Sequence, residues 1–140
     1  MDRVLGRFTD VIYAALRFVA GGMLCSHGLQ KTFGLFGGFG GVPGNTAPLQ
    51  SQMGFGGLIE LVGGGLVALG LFGPYAAFLC SGMMAVAYFQ FHWIGHGEFW
   101  PILNAGELAA LYCFVFLFIA ARGSGRWSLD GLRDGRSAGS

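Results

Sequence analysis

The chain contains very little charge. Only 11% of its 140 residues are Asp, Glu, Lys or Arg, whereas a soluble domain carries about 25%. The formal net charge of +1 gives no electrostatic basis for binding nucleic acid. The charges concentrate towards the two ends of the chain and leave long apolar stretches between them. This distribution predicts a protein embedded in a lipid bilayer rather than a soluble domain.

The chain also lacks any cysteine pair. Its three cysteines, Cys25, Cys80 and Cys113, each lie inside an apolar stretch, and no C-x-x-C motif occurs. The pattern favours small buried apolar side chains over a disulfide or a metal site. We predict no metal ligands among them.

Four apolar segments have the length of about twenty residues that crosses a bilayer. They are too long and too continuous for barrel strands, so helices are the structure that satisfies their backbone in lipid. They cover residues 11–30, 55–73, 75–94 and 102–121. Gly73-Pro74 between the second and third segments predicts a helix stop and a tight turn. The predicted fold is all-α: an antiparallel bundle of four transmembrane helices in a single domain, residues 1–132, with a flexible polar tail at residues 133–140.

Basic residues predict how the chain is oriented, because cytoplasmic segments carry an excess of Lys and Arg. The connection after the first segment contains Lys31 alone, and the one after the third contains neither Lys nor Arg. Arginines cluster instead at both chain ends: Arg3, Arg7, Arg122, Arg126, Arg133 and Arg136. We therefore predict that both termini lie in the cytoplasm.

Glycine is abundant, with 27 residues, many of them inside the apolar segments. In a bilayer, small residues let helix backbones approach closely. Gly21 and Gly28 are seven residues apart and share a helix face, as do Gly57 and Gly64. These faces predict tight packing, either within the bundle or in a homo-oligomer.

Four ionisable residues lie inside different segments at a similar depth. With a rise of roughly 1.5 Å per residue, His27, Glu60, His92 and Glu107 all fall in the outer half of the predicted bundle. Charged side chains are costly in hydrocarbon, so such residues face the interior and pair with one another. Two neighbouring carboxylates would repel, so one would hold a proton or be neutralised by a cation. We predict a polar site in which His27, Glu60 and Glu107 exchange protons.

Further polar residues could assist that site. Lys31 shares the helix face of His27, and Asn104 shares that of Glu107. The residues predicted to bind a ligand are Lys31, Asn104, His92 and Arg17. Each also has a structural interpretation: intramembrane polar residues can hold helices together, and Lys31 or Arg17 can extend to the membrane surface.

Several of these residues lie in segments that, in this order, resemble the DoxX family of membrane proteins. The resemblance extends from about Tyr13 to Leu132. The segments that carry it are HGLQKTFG from His27, ELVGGGLVALGLFG from Glu60, GEL at Gly106–Leu108 and GSGRWSLD at Gly123–Asp130. The resemblance implies four membrane helices and a bacterial inner-membrane location. The family is similar to the DoxD-type membrane subunit of thiosulfate:quinone oxidoreductases, and some of its members are linked to membrane oxidoreductase assemblies that respond to oxidative and thiol stress.

The leading hypothesis is a small subunit of a quinone-linked oxidoreductase system that contacts partner subunits and the lipid bilayer. The sequence contains no haem, flavin or iron–sulfur motif, so electrons would come from a partner subunit or a small reductant. Whether the chain itself is an enzyme stays open at this point. The alternatives are a helix-bundle metal site, although the Glu-x-x-His spacing is absent, and a non-enzymatic assembly protein or a solute or proton pathway.

Overall fold

The computed structural model describes residues 2–135, and that part of the chain is helical, without strands. A π-helical segment, Tyr88–Ile94, continues the fourth α-helix. The α-helices are α1 (Asp2–Leu5), α2 (Thr9–Phe33), α3 (Gln52–Leu69), α4 (Gly73–Ala87), α5 (Pro101–Asn104), α6 (Glu107–Arg122) and α7 (Leu129–Arg133). The tail predicted at residues 133–140 starts at the end of α7, and its residues 136–140 lie outside the described part.

Among the described residues, three helical segments are long and apolar enough to cross a membrane. They are Gly6–Phe33, Gln52–Leu69 and Gly73–Ile94. The fourth predicted segment, residues 102–121, is not one continuous helix. Ala105 has a left-handed backbone with φ 56°, which ends α5 and leaves α6 with 16 residues. All-helical architecture with three candidate spans is typical of a membrane protein.

The turn between α3 and α4 differs in position from the predicted one. The helix stop is Gly70, which has φ 66° and whose N–H closes α3 by reaching back to carbonyl groups of its last turn. Gly73 instead begins α4, and Pro74 occupies the first turn, where its missing N–H costs no hydrogen bond. At the other end of α3, the Ser51 side chain accepts a hydrogen bond from the Gly54 N–H (3.1 Å) and caps the helix.

The helices pack in the order α2, α3, α4 and α6, and α2 also contacts α6. Glycine makes the α2–α3 contact close. A Cβ at Gly21 would lie 2.6 Å from the Gly64 carbonyl oxygen, and one at Gly28 would lie 2.7 Å from the Gly57 carbonyl oxygen. The predicted tight packing is therefore confirmed within the chain, because any larger residue at these positions would push the helices apart. The core that results contains Leu24, Val67, Cys80, Phe116 and Ile119, all fully buried.

The helix bundle has two chemically different ends. Asp10 at the start of α2 lies 3.5 Å from Arg122 at the end of α6 (Oδ1 to Nη2), so the start of α2 and the end of α6 lie side by side. We call this the terminal end. The loop end is the opposite end of α2, which contains Lys31, together with the neighbouring parts of α3 and the π-helical segment, which contain Glu60 and His92.

Candidate functional site

A cavity of about 720 Å³ opens at the loop end. Its volume falls within the range of about 300–1,000 Å³ that is usual for small-molecule sites. Side chains from α2, α3, α4 and α6 form the wall, and most of them are apolar. Examples of the apolar lining are Leu24, Ile59, Phe78, Met83, Met84 and Leu108. The cavity therefore suits a ligand that is largely hydrophobic.

An ion pair lies in this apolar wall. Lys31 Nζ donates to Glu60 Oε1 at 2.6 Å, and the exposed fractions of the two side chains are 18% and 6%. Lys31 belongs to the last turn of α2 and Glu60 to the middle of α3, so the close α2–α3 contact brings them together. Gly57 makes room for the lysine stem, because a Cβ there would lie 2.8 Å from the Lys31 Cβ. The helix packing thus determines where this pair forms.

Two side chains that line the cavity each have a buried polar atom without a hydrogen-bond partner among the described residues. One is the second carboxylate oxygen of Glu60, Oε2, and the other is the hydroxyl of Tyr112 on α6. Both side chains line the same cavity, Glu60 from α3 and Tyr112 from α6. Tyr112 was not predicted from the sequence, because an aromatic residue in an apolar helix usually belongs to the core. The available signal was its hydroxyl, which needs a partner when buried at membrane depth.

Two predicted histidines also line the cavity. His27 on α2 is exposed, and His92 is half-buried in the π-helical segment. His92 Nδ1 lies 3.0 Å from the Asn104 carbonyl oxygen, and its ring stacks on Tyr88 at 6.4 Å between centroids. Single π-helical turns inside helices often occur at functional sites. Of the seven predicted site residues, the structure therefore brings four together: His27, Lys31, Glu60 and His92.

Glu107 does not join them. It is exposed and lies outside the cavity lining, so the predicted convergence of Glu60 and Glu107 is wrong. The reason is the break in the helix at Ala105, after which Glu107 is the first residue of α6. A carboxylate at that position is favoured by the partial positive charge of the helix N-terminus rather than by a second acid.

Asn104 and Arg17 also lie outside the cavity lining. The buried Asn104 side chain donates to the Glu98 carbonyl (2.8 Å) and accepts from the Gly106 N–H (2.8 Å), so it holds the loop before α6. Arg17 lies towards the terminal end, where it donates to the carbonyl oxygens of Ser124 (2.5 Å) and Trp127 (2.6 Å). The structure thus gives both residues a contact that supports the fold.

Within residues 2–135, no three His, Cys, Asp or Glu side chains come together in a way that could hold a metal ion. The polar side chains in the cavity wall are instead one ammonium group, one carboxylate, two imidazoles, one phenol and the carboxamide of Gln52, in apolar surroundings. Such a set can donate and accept hydrogen bonds and exchange protons with a bound organic molecule.

Comparison with known proteins identifies the family. The model of the DoxX family matches residues 12–93. A protein of Haemophilus influenzae described as uncharacterized is 40% identical over 131 residues, which cover 90% of this chain and 93% of the relative. No solved structure matches the chain. Both matches include α2 and α3, which carry Lys31 and Glu60. The chain belongs to the DoxX family.

Proposed function

We propose that this membrane protein is a small subunit of a quinone-linked oxidoreductase system and that the loop-end cavity binds the quinone ring. The observation that carries the proposal is the Lys31–Glu60 ion pair in the wall of an apolar cavity. Placing two charges in apolar surroundings is costly, and proteins mostly retain such groups in membranes for function. Hydrophobic packing alone would not require them.

The residues of the cavity match what a quinone requires. The ring and tail need an apolar slot, each carbonyl oxygen accepts a hydrogen bond, and reduction to quinol consumes two electrons and two protons. Lys31 Nζ has N–H groups beyond the one that donates to Glu60 and can direct them at a carbonyl. His27 and His92 line the same cavity, and imidazole exchanges protons near neutral pH. The two electrons come from a partner subunit or from a thiol or thiosulfate donor.

In this proposal the chain crosses a bacterial inner membrane four times, with both termini in the cytoplasm. The fourth crossing is α6, which with its 16 residues is slightly short and is extended by α5. The contact between Asp10 and Arg122 supports an even number of crossings, because it holds the first and last long helices together at one end. A Cβ added at Gly22 on α2 would meet no other part of the described chain within 4 Å, so this helix position leaves space for a partner subunit or a second copy.

The test is direct binding of a short-tailed ubiquinone to the purified protein in detergent, measured by isothermal titration calorimetry. Wild type is expected to bind saturably, and Lys31→Met, which removes the N–H groups that can donate to a quinone carbonyl, is expected to bind at least about tenfold more weakly, which corresponds to about 1.4 kcal/mol. The matched control is Glu107→Gln, because Glu107 lies outside the cavity lining. Its affinity should equal that of wild type.

Absence of binding to wild type, or equal affinities of Lys31→Met and Glu107→Gln, would contradict the proposal. A stoichiometric protein partner that co-purifies with a chain unable to bind quinone would favour the non-enzymatic assembly role instead. Transport by reconstituted vesicles that Glu60→Ala abolishes would favour a pathway.

A further inference from the structure

The unpartnered atoms of the cavity define what a ligand should offer. Glu60 is 4% exposed and Tyr112 is 5% exposed, yet neither Glu60 Oε2 nor the Tyr112 hydroxyl has a hydrogen-bond partner among the described residues. Buried polar groups in proteins are nearly always hydrogen-bonded, to protein, water or ligand. The two groups come from different helices, α3 and α6, and both line the cavity. A bound molecule that reaches both is therefore a natural partner.

The two groups differ in hydrogen-bonding capacity. Glu60 Oε1 accepts a hydrogen bond from the Lys31 ammonium group at 2.6 Å, and a carboxylate in such a pair only accepts hydrogen bonds. Oε2 therefore needs a donor. The Tyr112 hydroxyl can either donate or accept. A ligand hydroxyl matches the needs of both groups, because it can donate to Glu60 Oε2 and can accept from the Tyr112 hydroxyl.

We propose, on the basis of the proposed function, that Glu60 and Tyr112 make the cavity selective for a phenolic hydroxyl and hence for quinol over quinone. A quinone oxygen can accept a hydrogen bond from Tyr112 or Lys31. It has no hydrogen to donate to Glu60 Oε2, so two hydrogen-bond acceptors would face each other there. The cavity then binds the reduced form more tightly, and Glu60 is the residue that distinguishes the two redox forms. Because quinone leaves the buried acceptor Glu60 Oε2 unpaired, we expect the affinity for quinol to exceed that for quinone roughly ten- to a hundredfold.

The experiment compares two ligand pairs on the purified protein. The first pair is a short-tailed ubiquinol and the matching ubiquinone, measured under anaerobic conditions. The second pair is 4-nonylphenol and its methyl ether, which differ in the hydroxyl and involve no redox reaction. Wild type should bind the phenol and the quinol ten- to a hundredfold more tightly than their counterparts. Glu60→Gln should lose most of this preference, because its amide can donate to an ether or carbonyl oxygen.

Two further variants complete the design. Tyr112→Phe removes one hydrogen bond to either ligand and should weaken both while keeping the preference that Glu60 provides. Glu107→Gln should keep both affinity and preference. If Glu60→Gln does not fold, wild type and Tyr112→Phe still test the proposal, since both should bind the phenol more tightly than its methyl ether.

The outcomes separate the two proposals. Equal binding of quinol and quinone by wild type would overturn the selectivity while leaving the proposed function standing. Preference for the hydroxyl that persists in a folded Glu60→Gln would overturn the role of Glu60. Absence of binding of all four ligands would overturn the proposed function and the inference together.

Discussion

The two ends of the helix bundle each bury a charged side chain, but they use it differently. Arg17, 3% exposed, donates to the carbonyl oxygens of Ser124 and Trp127 and so holds the segment after α6 against α2. Glu60, 4% exposed, uses one oxygen for Lys31 and leaves the other in a cavity wall. Burial is nearly equal in the two cases. A candidate site differs from a structural contact in that a polar atom without a partner belongs to a side chain that lines a cavity.

Asp130 strengthens this contrast, because its carboxylate is fully used within the chain. It accepts from the Phe72 and Gly73 N–H groups, both at 3.1 Å, and from the Ser124 hydroxyl at 2.6 Å. These bonds attach α7 to the turn between α3 and α4. At the terminal end, the charged groups thus connect one part of the chain to another.

The largest expected effect comes from breaking the pair at the loop end. Lys31→Met leaves Glu60 buried without its cation, and removing one partner of a buried pair costs about 3–5 kcal/mol. Because Lys31 is 18% exposed, the loss should lie towards the lower limit. Chemical unfolding in detergent measures it. The double variant Lys31→Met/Glu60→Met should recover most of the stability without recovering quinone binding.

That recovery is the decisive comparison for the loop end. A double variant as unstable as Lys31→Met would show that the unpaired carboxylate is not the source of the loss. A double variant that binds quinone normally would show that the pair has no part in the site.

Replacement of Arg17 should have the next largest effect. Arg17→Met removes two hydrogen bonds from a charged donor, which contribute about 1.5–3 kcal/mol each at most. We therefore expect a net loss of about 2–3 kcal/mol in the free energy of unfolding. Quinone affinity of the folded variant should be unchanged. Lost affinity would restore the ligand-binding role that the sequence predicted for Arg17.

The sequence allowed part of this contrast to be predicted. Lys31 and Glu60 could be identified because charges at membrane depth must face the interior. The family could be identified from the order in which four characteristic segments occur along the chain. The convergence of Glu107 with Glu60 was predicted wrongly because nothing in the sequence indicates that Ala105, a non-glycine residue, adopts a left-handed backbone. Tyr112 was missed because its hydroxyl matters only once it lines the same cavity as Glu60, and that depends on how α3 and α6 each pack against α4.

Acid should weaken the terminal end through Asp130. Burial disfavours its charged form, but the hydrogen bonds from Ser124, Gly73 and Phe72 and the charge of Arg133 outweigh it, so the pKa of Asp130 is lower than its ordinary value of 3.8. Since the pKa is depressed in the folded protein, its stabilisation is present above pH 3.8 and is lost as the pH falls below that value. Thermal unfolding between pH 3 and 6 should show this decline in wild type.

The matched variant for that measurement is Asp130→Asn, which keeps the shape of the side chain but does not titrate. Its Tm should be lower than that of wild type at pH 6 and should decline less on acidification. Identical pH profiles of the two proteins would contradict the role assigned to Asp130.

The smallest effect is expected from the exposed charges of the terminal end. Asp10 lies 3.5 Å from Arg122 and 3.8 Å from Arg126, and the exposed fraction of its side chain is 41%. Exposed pairs contribute about 0.2–1 kcal/mol, and at 1 M salt the screening length falls to about 3 Å. Asp10→Asn should therefore lower the stability only at low salt, and Arg122 should keep its place over the Tyr13 ring, 4.5 Å from the centroid. A loss as large as that of Arg17→Met, or one that persists in 1 M salt, would mean that this surface pair holds the helix ends together as firmly as the buried arginine does.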